Sequence, residues 1–376
     1  MAGPSEYYVD PSIDANSGAG TISDPYGDLQ YALDQITQDT TNGDRINIKA
    51  GTDEVLTAKL DFTTYGTPHV NYPLLLQGYT SAAGDGGVGG LDGNGGNFTI
   101  SDEGEVSYRD LHLHNTGTAQ IVTLTNAFLI GCELDNTSGN GVTTFGSNSE
   151  ALVSKCHFHD IGGVGVHANA GTSILFCYFA DGTKTFSNAV EMWVEHNCAC
   201  RCFFTMTGSG AAVWTRRRGN MAMHCSILHT GSGNGIHLHD ASVDGGKWMY
   251  NVIEHSGSGN GVYVASAVDQ IQEIFNNTVY ASGSATAYDP SHITTDGIDD
   301  FIIKENNESI GSSPFSKSGS NTFANRVTYF APNDVGSVLS GAEHNLDRGA
   351  VQSMSGGGGG TPSILGIPSG HGGMAG

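Results

Sequence analysis

Glu191, Trp193, Trp214, Arg216, His237 and His239 fall into three pairs, each with one residue between its members. The pairs start 23 residues apart, and Tyr263 follows the start of the last pair by 26. On an extended strand both members of such a pair share one face. If the strands stack in register, all seven residues share it. Flat rings offer contact area to sugar rings. Glu191 or His237 could serve as a base, and Arg216 could clamp a carboxylate such as that of a uronate. The expectation is a glycan-binding face made of Glu191, Trp193, Trp214, Arg216, His237, His239 and Tyr263. Glu191, Arg216 and His237 are the candidates within it for chemistry, and none is assigned a catalytic role. The same residues also fit the solvent side of a purely structural scaffold.

Cys198, Cys200 and Cys202 form C-x-C-x-C, which on one strand would put three thiols on one face, with His196 and His224 near in sequence. Such a set could hold zinc. The usual C-x2-C spacing is absent, however, and Cys202 belongs to a series of repeat-leading positions, so neither a metal nor a cofactor is expected. Histidines cluster at 157, 159 and 167, and again at 224, 229, 237, 239 and 255. His229 and His255 hold equivalent repeat positions and read as polar residues stacked at a corner.

The elements that must position these residues are repeats. Segments led by Leu111, Cys132, Cys156, Cys177, Cys202, Cys225, Asn251 and Asn277 recur every 21–26 residues. Most have an apolar residue two positions on, then a Gly-rich turn, then another apolar residue. That period suits one turn of a parallel β-helix, with successive coils about 4.8 Å apart. The five cysteines would form an inward ladder, reduced and continued by Asn251 and Asn277. The glycine clusters would sit at corners needing positive φ. A leucine-rich horseshoe has a similar period but needs a Leu-rich consensus and a helix per repeat, and neither is present. The residues after Val142, Val166, Val190, Val213, Ile236 and Val262 should face solvent: Thr143, His167, Glu191, Trp214, His237 and Tyr263. Two residues further on, a second outward row reads Phe145, Asn169, Trp193, Arg216, His239 and Ala265.

Before the repeats, residues 7–10 read as a strand, 24–36 as a short amphipathic helix and 43–52 as the first full strand. A helix there would cap the open end of the core. The expected organisation is a cap and first strand over 1–52, coils and closing strands over 53–352, and a Gly-rich linker and apolar tail over 353–376. Glycine makes up 55 of 376 residues, and the net charge is −23. Such an acidic chain is a poor partner for nucleic acid or an anionic membrane surface. No run approaches the 18 apolar residues of a membrane span. The start shows no basic and apolar signal segment, so synthesis in the cytoplasm is expected.

The opening Tyr8-Val9-Asp10, the segment DPYGDLQYALDQI followed by GDRINIKAGT, the Cys- and Asn-led coils and the closing DRGAVQ resemble the right-handed parallel β-helix proteins of the pectate-lyase-like superfamily. The resemblance implies an all-β, single-stranded parallel solenoid with a short N-terminal capping helix. Among relatives of that kind, pectate lyases would bring a Ca²⁺-binding acid cluster and an Arg or Lys base, and polygalacturonases several adjacent aspartates. Arg216, Arg217 and Arg218 are available but lack an acid cluster, and Asp240 and Asp244 fall in a turn. No family catalytic residue carries over. The expected function is a non-enzymatic structural protein of an assembled particle, such as a phage virion fibre, adhesin or decoration protein, with a surface polysaccharide as its ligand. The alternative is a lyase or hydrolase acting on an acidic polysaccharide. After five glycines (356–360), Ile364, Leu365 and Ile367 would dock residues 361–376 on another subunit of the particle, and a homo-oligomer is expected.

Overall fold

A computed structural model describes residues 4–311, apart from 15, 147–149, 170, 218, 240–245, 265–271, 276, 283, 290–301 and 304–307. The expected closing strand at 345–352 and the docking tail at 361–376 lie outside the described residues.

The chain is an all-β parallel solenoid, its described residues forming three sheets of 12, 11 and 8 strands. While the first coils and the last described one lack a strand in the third sheet, the central coils each contribute one strand to each sheet in turn. In one coil these are Glu150–Ser154 in the first sheet, His157–His159 in the second and Val164–Ala168 in the third. Every strand inside a sheet pairs in parallel with the equivalent strand of the coils before and after it. Inward residues therefore stack on their own repeats. Leu134, Phe158, Phe179, Phe204, Ile227, Ile253 and Val279, each two places after a repeat leader, are all buried. Phe158, Phe179 and Phe204 stack with centroids 4.7 and 5.0 Å apart, both pairs nearly parallel.

The ladder of repeat leaders is buried as the spacing predicts. Cys132, Cys156, Cys177, Cys202 and Cys225 are free thiols at 0–2% exposure. Asn251 and Asn277 continue it. Asn251 Oδ1 accepts from the Cys225 backbone N–H, and Asn277 Oδ1 accepts from both the backbone and the side chain of Asn251. A second asparagine step, not anticipated, joins Asn197 to Asn220, both fully buried. Buried amides of this kind cost free energy unless bonded, and stacking on an equivalent amide provides the bonds.

Four expectations need correction. Among the described residues of the cysteine- and asparagine-led coils, the positive-φ corner is filled by glycine only at Gly131, before Cys132, and elsewhere by other residues. Lys155, Phe176, Arg201, His224 and Tyr250 adopt φ of 53–57° immediately before a repeat leader, turning the chain from the first sheet into the second. The turn glycines serve close approach instead: a Cβ on Gly257 would lie 1.6 Å from the Gly231 carbonyl oxygen one coil away. Cys198, Cys200 and Cys202 do not share a face. Cys198 and Cys200 are half-buried on the strand Cys198–Cys200, and the bend at Arg201 sends Cys202 into the core. His229 and His255 are fully buried rather than at an open corner. Their rings stack 4.7 Å apart, Nδ1 accepts from the Gly231 and Gly257 N–H groups, and Nε2 donates to the carbonyls of Gly210 and Gly233. Lastly, the helix is shorter than 24–36. It spans Leu29–Gln35, because Tyr26 hydrogen-bonds to Tyr8 and Asp28 caps the first turn by accepting from the Tyr31 N–H at 2.6 Å. Leu29, Ala32, Leu33 and Ile36 are buried.

Candidate functional site on the third sheet

The third sheet brings the expected outward residues together. His167, Glu191, Trp214, His237 and Tyr263 are register partners on successive coils. Trp193, Arg216 and His239 each follow the end of their strand by one residue, and each backbone N–H still bonds to the preceding coil. Of the two expected rows, Thr143 is covered rather than open, at 4% exposure, with its hydroxyl accepting from Asn140. Ala265 lies outside the described residues.

The rings form a continuous series. His167 lies 5.5 Å from Trp193, Trp193 lies 5.6 Å from Trp214, and Trp214 lies 4.8 Å from His239. His237 packs edge-on to Tyr263 at 5.0 Å. The Arg216 guanidinium sits 4.3 Å above the Trp193 ring. This contact combines the guanidinium charge with the ring quadrupole of the indole. The rings are half-buried by one another, while His239 stays exposed.

Glu191 is held from three sides. Trp193 Nε1 donates to Oε2 at 2.7 Å, Asn188 donates to Oε1 at 2.6 Å, and His167 Nδ1 lies 3.0 Å from Oε2. Burial opposes its charge, but His167, Trp193 and Asn188 outweigh that and hold its carboxyl below the usual range. It is an ionised, fully engaged carboxylate. His237 is the opposite case. Burial, with His239 adding to it, lowers its pKa to about 4. Its Nε2 is buried and makes no hydrogen bond. A base this weak and this covered is poorly placed to take a proton.

The second sheet carries a group of residues that the sequence reading did not assemble. His112, Glu133 and His157 are register partners, His114 pairs with Asp135, and His159 Nε2 lies 3.6 Å from Asp135 Oδ2. Asp53 reaches His114 at 3.3 Å, and His112 reaches Asp135 at 3.1 Å. The signal was present as H-x-H at 112–114 and 157–159 and E-x-D at 133–135, one coil apart. It is the same two-residue spacing that marks the third-sheet site.

No protein-family model and no curated protein matches the chain. Solved structures do. A rhamnogalacturonan lyase aligns over 93% of this chain and 96% of its own, at 14% identity and a TM-score of 0.51. A pectate lyase aligns over 86% of this chain and 79% of its own, at 12% identity and 0.50. The receptor-binding tailspike of bacteriophage Det7 aligns over 84% and 77%, at 10% identity and 0.36. At these identities the likeness is one of fold, and by fold the chain is a parallel β-helix.

Proposed function

We propose that the protein is a non-catalytic β-helix that holds a carbohydrate chain along the outer face of its third sheet, as a surface component of an assembled particle such as a phage virion. The observation that carries the binding role is the unbroken ring series from His167 through Trp193 and Trp214 to His239, with Arg216 laid on Trp193. Four coils of it span about 15 Å at the usual coil spacing. That length suits a few sugar units of an extended polymer. The case against turnover is chemical. Glycoside hydrolysis uses two carboxyl groups about 5–9.5 Å apart. Among the described residues, the register partners of Glu191 along this row are His167 and Trp214, followed by His237 and Tyr263, none of them a carboxylate.

The test is Trp214→Ala. Losing one stacking ring should weaken retention on the cognate glycan roughly tenfold, about 1–2 kcal/mol, while the melting temperature stays near that of the parent chain. Unchanged retention across neutral and acidic polysaccharides would sink the binding reading. The second reading, a polysaccharide lyase, rests on Arg216 as a uronate clamp. Polymer cleavage lost in Arg216→Ala would establish it. The particle setting rests on the sequence, where five glycines precede a short apolar segment. Removing residues 356–376 should leave a folded solenoid that no longer assembles, and normal assembly would remove that support.

A further inference from the structure

The outer face of the second sheet places Glu133, His157 and His159 so that one ligand atom from each lies within 4.8 Å of the others. We propose that these three side chains bind a divalent transition-metal ion of the Zn²⁺ class, with Asp135 adjoining as a fourth donor, through oxygen. The site is separate from the third-sheet ring series, and the sequence reading assigned no metal to the chain.

The spacing of the donor atoms carries the argument. Glu133 Oε1 lies 2.9 Å from His159 Nε2 and 3.6 Å from His157 Nδ1. Asp135 Oδ2 lies 3.6 Å from His159 Nε2. A tetrahedral ion with bonds of about 2.0–2.1 Å holds its ligand atoms about 3.3 Å apart. Small side-chain adjustments would meet that spacing. Two imidazoles with one or two carboxylates suit Zn²⁺, Co²⁺ or Ni²⁺, whereas Ca²⁺ and Mg²⁺ favour all-oxygen shells.

The surroundings fix the ligands. His159 Nδ1 lies 3.0 Å from Asp160 Oδ2, so Asp160 accepts from that nitrogen and turns Nε2 toward Glu133 and Asp135. This is the carboxylate–imidazole arrangement that orients histidines on metals. Asp160 is itself locked, because its other oxygen accepts from the Thr183 hydroxyl and the Lys184 N–H. The His157 ring lies flat against Tyr178, 4.9 Å away and 7° from parallel. An Nε2 lone pair aimed at two carboxylates is repulsive, so a positive species must lie between them. A proton on His159 would serve that one imidazole. A metal ion would serve His157 as well, whose Nδ1 lies 3.6 Å from the same Glu133 oxygen.

A neighbouring set, Asp53, His112 and His114, also brings three donors within reach. His112 there is already drawn 3.1 Å to Asp135. The test must therefore separate the two sets. The full chain, stripped with chelator, is titrated with Zn²⁺ and Co²⁺ alone. The expected result is one Zn²⁺ per chain, with Glu133→Gln and His159→Gln each weakening it at least 100-fold. Asp160→Asn should weaken it about 10–100-fold, in line with losses of orienting carboxylates. Asp53→Asn should change it less than threefold. Co²⁺ should show no thiolate charge-transfer band, and Zn²⁺ should shift the imidazole NMR signals of His157 and His159 while leaving those of His229 and His255 in place. Glu133 is surface-lying, its side chain 44% exposed, so Glu133→Gln should fold, and circular dichroism checks this. Failure to bind Zn²⁺, loss that follows Asp53 instead of Glu133, or a thiolate band removed by Cys198→Ser would each overturn the proposal. Trp214→Ala should leave Zn²⁺ affinity unchanged, which keeps this result independent of the glycan result.

Discussion

Glu54 shows how one side chain can set a pH limit on this fold. It is only 5% exposed, on the strand Asp53–Val55, beside the helix cap Asp28. Burial, with the Asp28 charge adding to it, pushes its carboxyl up to about 8, against an ordinary value near 4.5. The folded chain therefore holds a proton that the unfolded chain releases. That stabilisation is complete below about pH 4.5 and is lost as pH rises through 8. Glu54→Gln keeps the shape and removes the titration. The variant should melt at the same temperature as the parent chain near pH 4 and at a higher one at pH 8–9, the gap corresponding to a few kcal/mol. Parallel melting curves for the two proteins across that range would show that Glu54 is not buried as a neutral acid. His255 works in the other sense. Burial first, then His229, lowers its pKa to about 4, although its bond to Gly233 resists this. Its contribution is lost as pH falls from the ordinary histidine value toward 4.

Within a coil, two kinds of position do different backbone work, and substitution should tell them apart. Gly86 has φ of +81° with nothing within 4 Å of a built Cβ, so Gly86→Ala should cost about 1 kcal/mol, from backbone strain alone. At Gly257 the cost is crowding: the new Cβ would lie 1.6 Å from a carbonyl oxygen of the coil beneath. Gly257→Ala should cost roughly 3 kcal/mol, since two coils must part. Denaturant melts that rank the two variants the other way would refute this division. The division also explains what could be read from sequence. The Cys/Asn leaders and the apolar residue two places on were legible, because a parallel stack repeats the same environment at the same register. The third-sheet rows were legible for the same reason. The bends at Lys155, Phe176, Arg201, His224 and Tyr250 were not, because no residue type there signals positive φ; the stacked coils impose it. The second-sheet site was missed because its outward residues mix histidines with acids, as ordinary solvated strands do, whereas aromatic residues recurring at one register mark the third-sheet rows. Each coil taken alone shows only a polar surface strand.

At the scale of the whole molecule, charge acts against one class of ligand. The chain carries 38 acidic and 15 basic residues, a net charge of −23. The ring series on the third sheet has Arg216 as its cation at Trp193, and Glu191 stays ionised among the same rings. A polymer of uronates approaching that face meets local attraction at Arg216 and repulsion from the rest of the chain. Stacking and hydrogen bonding to a neutral glycan meet neither. Salt separates the two cases, because about 0.1 M salt shortens the reach of charge to roughly 10 Å, leaving the contact at Arg216 less affected than the distant repulsion. Raising salt from 20 to about 200 mM should leave affinity for a neutral glycan within a factor of two. For a uronate polymer the same change should strengthen binding severalfold, opposite to the usual loss when a basic protein meets a polyanion. Retention measured on both polymers at both salt levels checks this. Weaker uronate binding at high salt would mean that Arg216 and its neighbours dominate the field, and would move the balance toward the lyase reading.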